Sequence, residues 1–388
     1  MKIIIDAEGL ANARTGIPRV TLLDTIVFCG IFSQVELNVS KKATESLINS
    51  AEFVQLNSLA AKFESSEIVI NNNRPSNIEI WKSQISPYPT KMCIDNFNFS
   101  YASLFPGLYE SAKDCKNVIR VHDPFRSQKS ILKEYRDAKT LKNTSARVLR
   151  NRAFKNQLRN GSIVVANSYC TRMKYAELYG IEETSLHAIW PSVGHSSERQ
   201  DKVKKNDTRT PYFLCVMSQR QGKKPIFVIN GWAKISSMVG IQLRVVGKIK
   251  YDDLSMLALK KIESGELVIY ENLTAEALKI MQINAFASIF ASTGEGFGLP
   301  IAESLFYGVP VLYNDLEVFR EVSAGVGIEF SLQNEDSLIE AIKNIIESEE
   351  RKLELNRLSF ERGLSFSHEF SMRKWEKLLL EENQKESR

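Results

Sequence analysis

Across residues 212–330 six short apolar runs alternate with helical patterns: YFLCVMS, QLRVVG, LVIY, ASIFAS, PVLY and VGIEF. The helical patterns lie near residues 226–236, 253–262, 275–284, 300–307 and 336–346. Such β/α alternation predicts a parallel, doubly wound sheet that binds ligands at the carboxyl ends of its strands. The first half repeats the rhythm less regularly, with KIIID, EIVI, VIRVHD and SIVVAN as strand candidates. Residues 18–28 read as the helix after the first strand, with Pro18 in its first turn. Residues 127–160 read as helical with a charged surface.

A chain of 388 residues is long for one domain and suggests two. The stretch HSSERQDKVKKNDTRTP, residues 195–211, has almost no apolar side chain and reads as a linker. The expected organisation is an N-terminal α/β domain over 1–195, a linker over 196–210 and a second α/β domain over 211–365. A C-terminal helix over 366–388 is expected to pack back on the first domain.

Composition narrows the class without naming it. Hydrophobic content of 43% and charged content of 25% are ordinary for a soluble protein, and a formal charge of +5 is mild. The five cysteines, Cys29, Cys93, Cys115, Cys170 and Cys215, are scattered and form no CxxC pair. A disulfide framework and a cysteine zinc site are therefore not expected, and a reducing, cytoplasmic setting is. Asp6 and Glu8 interrupt the first apolar run, which reads as a strand and not a leader. Asp24 breaks the run at 22–32, which is too short to span a bilayer.

The chemistry concentrates in STGEGFGLPIAESL, residues 292–305. Gly294, Gly296 and Gly298 follow the predicted strand ASIFAS, where glycine lets backbone approach a ligand closely. Pro300 suits the first turn of a helix starting near Leu299. The helix N-terminus would aim unpaired N–H groups and partial positive charge at the turn, a setting for a phosphate. Glu295 lies in the turn and Glu303 about one turn into the helix. Glu303 alone could be a favourable acid near a helix N-terminus, and Glu295 alone a solvated loop residue. A dinucleotide fingerprint fails because Leu299 and Ile301 stand where the third glycine belongs. A Walker loop fails too, since neither Gly222–Lys223 nor Gly247–Lys248 has its partner glycine or a following Ser/Thr.

EGFGLPIAESLFYGVPV resembles the donor-site signature of the retaining GT-B glycosyltransferases of family 4, with Ser304 where alanine is usual. Further similarity lies in YFLCVMSQRQGKKPIFVINGWAKI, VIYENLTAEALKIMQINAFASIFAS, VIRVHDP, RTGIPRV and FSHEFSMRKW. It covers nearly all of the second half and islands of the first. The resemblance implies two Rossmann-like doubly wound domains facing a central cleft, with a nucleotide sugar held mainly by the second. It implies that Glu303 holds the ribose hydroxyls, Glu295 attends the transferred sugar and Lys223 neutralises the diphosphate. Gly296, Phe297, Gly298 and Leu299 would line the donor with their backbone, His122 would lie by the donor sugar, and Gly16 near the reacting groups. The family arginine before the lysine is replaced by Gly222, and Arg220 is the candidate substitute.

The implied reaction transfers a hexose with retention from a nucleotide-diphosphate sugar to a hydroxyl of a glycan or polyprenyl-linked glycan, in surface-polysaccharide or O-antigen synthesis. Breaking the sugar–phosphate bond builds negative charge on the diphosphate, which Lys223, Arg220 and the helix N-terminus can stabilise. Fixed positive charge can replace Mg²⁺, so neither metal nor cofactor is expected. The His-Asp and TGIPR features favour a mannosyltransferase-like subgroup and GDP-mannose, with UDP-hexoses open. Two alternatives use the same scaffold: a non-catalytic nucleotide- or glycan-binding subunit, and a sugar-nucleotide epimerase.

Residues 129–159 carry ten Lys and Arg, from Lys129 to Arg159, opposed by Glu134 and Asp137. Such a surface could touch anionic lipid headgroups and bring the enzyme to a lipid-linked acceptor. A solvated helical face accounts equally well for the charges. Sparse aromatics, Tyr135 and Phe154, argue against nucleic-acid binding.

Overall fold

A computed structural model describes residues 1–7, 10, 16–60, 67–71, 98–102, 115–122, 154–155, 158–159, 161–203, 210–217 and 222–384. The chain divides into two units, Met1–Ser192 with His368–Arg388, and Val193–Ser367. The basic region 129–159 and Arg220 fall almost or wholly outside the described residues.

In the first unit seven strands form a parallel sheet: β1 (Lys2–Asp6), β2 (Gln34–Asn38), β3 (Glu67–Asn71), β4 (Phe99–Ala102), β5 (Lys116–Val121), β6 (Ile163–Ala166) and β7 (His187–Ala188). Their order is β3-β2-β1-β4-β5-β6-β7. Apolar side chains of β1 (Ile3, Ile5), β2 (Val35, Leu37) and β6 (Ile163, Val165) pack against the helix Gly16–Cys29 through Leu22, Ile26 and Phe28. The C-terminal helix His368–Gln384 joins this core through Trp375, Leu378 and Leu379. Trp375 meets Phe28 edge to face, with ring centroids 5.1 Å apart. Beside it, Arg120 on β5 and Asp24 form a fully buried ion pair, Nε to Oδ2 3.5 Å, and Tyr101 donates to Asp24. Burial pushes the Asp24 carboxyl above the usual carboxylate range, against the opposing pull of Arg120 and Tyr101.

The second unit has six parallel strands: β8 (Tyr212–Val216), β9 (Gln242–Val246), β10 (Leu267–Tyr270), β11 (Ala287–Phe290), β12 (Val311–Asn314) and β13 (Ile328–Phe330). Their order is β10-β9-β8-β11-β12-β13. All six coincide with the apolar runs of the sequence. One face of this sheet is covered by the helices Pro225–Val239 and Glu335–Ile346, through Val228, Trp232, Leu338 and Ile342. The helices Leu299–Phe306 and Glu349–Gly363 also pack on one another.

The polar stretch read as a linker begins as a 3-10 turn, Ser196–Val203. Its Arg199 is buried in the second unit, where Nε donates to the Phe306 carbonyl at 2.8 Å and the guanidinium stacks on Phe360 at 3.8 Å. Cation–π stacking and carbonyl acceptors let a charged side chain anchor a segment that hydrophobicity alone reads as solvated. No helix among the described residues is long and apolar enough to cross a membrane.

Candidate donor site

In the second unit the strand sequence reverses direction between β8 and β11, so the crevice of the sheet opens at their carboxyl ends. Two loops meet there. Lys223, after β8, forms an isolated antiparallel bridge with Ser292, after β11. Around it Lys224 N donates to the Ala291 carbonyl at 3.0 Å, and Thr293 N to the Gly222 carbonyl at 2.7 Å. Ser292 N donates to Asn314 Oδ1 at 2.8 Å, which ties the turn to the end of β12.

Gly222 sits at φ +92°, and its carbonyl serves the facing loop. A Cβ at this position would have ordinary room, so backbone conformation and not space favours glycine. That gives a physical reason why arginine does not stand here: an L side chain in the left-handed region costs roughly 1–2 kcal/mol.

The loops bring Lys223 and Glu295 into an ion pair, with the lysine side chain 29% and the carboxylate 17% exposed. The backbone after Glu295 is buried through Gly296, Phe297 and Gly298. The Phe297 ring packs edge to face on Phe366 and is itself buried. Gly298 at φ +105° is the N-cap of Leu299–Phe306, with Pro300 in the first turn and no side-chain cap. The helix N-terminus is thus capped by backbone conformation, and its leading amide groups lie at the turn.

Glu303 stands in this helix, half-buried, and accepts from Gln282 Nε2 at 2.8 Å. Gln282 comes from the helix Ala275–Asn284. Ser304 Oγ lies within hydrogen-bonding distance of Ser288 Oγ on β11 (2.9 Å) and the Pro300 carbonyl (3.0 Å). A hydroxyl in place of the usual methyl therefore ties the helix to the strand beneath it.

The structure pairs Lys223 with Glu295 in the turn that runs through Gly296, Phe297 and Gly298 to Leu299, and places Glu303 further along the helix that follows, beside Gln282. His122 and Gly16 belong to the first unit, His122 directly after β5 and Gly16 as the first residue of its helix. The sequence reading missed Gln282 and Asn314, and gave no role to Ser292 at the start of the motif. Their only sequence signal is their place at the ends of the predicted elements that border the turn. Among the described residues no three or more His, Cys, Asp or Glu gather as a metal-binding group.

Residues 196–359 match the model of glycosyl transferases group 1. The matched residues fall within the second unit. The chain is 27% identical over 183 residues to the O-antigen chain mannosyltransferase RfbU of Salmonella typhimurium, spanning 47% of this chain and 50% of that protein. Over 73 residues it is 34% identical to the serotype-specific mannosyltransferase WbdA of Escherichia coli, spanning 19% of this chain and 9% of that protein. The chain thus spans half or less of the curated relatives it matches. Among solved structures, Anabaena HepE in complex with UDP and glucose superposes with a TM-score of 0.63 at 14% identity, covering 98% of this chain and 100% of that one. A glycosyltransferase from Rickettsia africae gives a TM-score of 0.65 at 14% identity, covering 98% of each. The fold of the two units is GT-B, two Rossmann-like parallel sheets.

Proposed function

We propose that the protein is a retaining hexosyltransferase that uses a nucleotide-diphosphate sugar. GDP-mannose is the proposed donor and a glycan or polyprenyl-linked glycan the acceptor, in O-antigen or related surface-polysaccharide synthesis. The observation that carries the reading is the meeting of Lys223, Glu295 and the Gly298-capped helix at the switch point of the second sheet. The mannosyltransferase relatives favour mannose among hexoses.

In this reading the bond between the anomeric carbon and the diphosphate oxygen breaks. Its electron pair goes to the diphosphate, where the Lys223 ammonium and the helix N-terminus take up the charge, while the acceptor hydroxyl oxygen bonds to the anomeric carbon on the face the diphosphate leaves and gives its proton to the departing diphosphate. Lys223 is paired with Glu295. A diphosphate offers it more negative charge than a single carboxylate, so donor binding draws the lysine toward phosphate and releases Glu295 to the sugar. Glu303 accepts from the ribose hydroxyls. In this reading fixed charges take the place of a metal ion.

The test is nucleotide release and sugar transfer by the purified protein with GDP-mannose and UDP-hexoses, in wild type and in Lys223→Ala and Glu295→Ala. Both variants are expected to lose at least a hundredfold in turnover while remaining folded. Full activity in both refutes the assignment.

A further inference from the structure

Gln282 is an unusual residue to find beside the donor turn. It is 5% exposed, near the end of the helix Ala275–Asn284, and lies outside the glycine turn and its two glutamates. An ionised carboxylate is an acceptor only, so the amide must face Glu303 with its NH₂, as it does at 2.8 Å. Such a charge-assisted bond is stronger than a neutral one and directional. It fixes the carboxylate of a residue that stands on the surface side of its own helix, half-buried, with three rotatable bonds to order.

We infer that Gln282 is a positioning residue for Glu303: by holding one carboxylate oxygen it sets the carboxylate to receive a ribose diol, and so contributes to the selection of ribonucleotide over deoxyribonucleotide donors. The inference rests on the reading of Glu303 as the ribose-binding group. Gln282 does not touch the donor. It holds one oxygen of the Glu303 carboxylate in a set direction before the nucleotide arrives.

The test compares wild type, Gln282→Met, Gln282→Glu and Glu303→Gln by titration with GDP and 2′-deoxy-GDP and with UDP and 2′-deoxy-UDP. Gln282→Met keeps length and volume but removes the donor, and is expected to weaken ribonucleotide binding about tenfold while leaving the deoxy form nearly unchanged. Gln282→Glu keeps the shape and sets two carboxylates in contact, so it is expected to be weaker than Gln282→Met. In the Glu303→Gln background, Gln282→Met is expected to cost less than twofold, because the two residues act through one bond. With the donor sugar, kcat stays within about twofold of wild type and KM carries the loss. A role in packing alone predicts the reverse: equal losses for ribo and deoxy forms, additivity with Glu303→Gln, and no penalty for Glu over Met. Any of these overturns the inference. If wild type prefers the ribonucleotide and Gln282→Met retains that preference, this inference falls and the donor-site reading stands. If wild type binds none of the four nucleotides, both fall.

Discussion

Gly298→Ala is the substitution whose cost can be worked most fully from the structure. The residue lies at φ +105° and ψ 52° as the N-cap of the helix Leu299–Phe306, where an L side chain costs roughly 1–2 kcal/mol. Its new methyl would lie 3.1 Å from Phe319 Cε1 and 3.3 Å from Cδ1. Phe319 is 2% exposed and cannot swing away, so overpacking adds about 1 kcal/mol or more. Reduced freedom of the unfolded chain returns roughly 0.4–1 kcal/mol. The net loss is about 1–3 kcal/mol, a fall in Tm of roughly 2–12 °C for a unit of this size. Gly240→Ala is the matched comparison: Gly240 is in the same unit at φ +62°, with no atom within 4 Å of the added methyl. It should cost about 1 kcal/mol or less and leave nucleotide binding intact. Thermal and urea unfolding, followed by nucleotide titration of each variant, read out both parts. Gly298→Ala is expected to weaken nucleotide binding by at least tenfold, since the amide groups of the turn change direction. Equal stability losses for the two variants, or unchanged nucleotide binding by Gly298→Ala, refute the reasoning.

Three further outcomes follow from the packing and the charges. Asp24→Ala leaves the Arg120 guanidinium buried without its counter-ion, and should destabilise the first unit by about 3–5 kcal/mol in urea unfolding. Trp375→Ala should cost about 3–5 kcal/mol in the same measurement, because the indole fills the contact between the C-terminal helix and Phe28. Burial pushes the Cys215 thiol up to about 12 and the Cys115 thiol up to about 11. Both are therefore protonated well above neutral pH, and thiol labelling of the native protein at pH 8 should spare Cys29, Cys115, Cys170 and Cys215, all of them buried.

The second unit was legible because each of its strands is an apolar run bounded by polar turns, and the helices between them keep their period. The first was less so. β2 carries Glu36 and Asn38, both buried, and β4 carries buried Ser100, so polar residues interrupt the apolar signal where the strands are inside. β7 has two residues, too few for any pattern. In the second unit the helices Glu317–Ser323 and Glu349–Gly363 also went unread: one is short, and the other is dominated by charge. Within the site, the glycine turn and the two glutamates could be found because their spacing is local, whereas Lys223 came from the resemblance of its segment to the family. Gln282 could not, because its meaning depends on a hydrogen bond to a residue 21 positions away on another helix. Arg199 was hidden for a related reason, since carbonyl acceptors and aromatic rings from distant segments bury it.

The central claim is that the turn after β11 and the helix behind it hold a nucleoside diphosphate. Calorimetric titration of wild type, Lys223→Ala and Glu303→Gln with GDP and UDP tests it directly. One of the two nucleotides is expected to bind wild type at a single site, and each variant to bind it at least tenfold more weakly while unfolding at the wild-type temperature. Absence of binding by wild type, or equal binding by all three proteins, would contradict it.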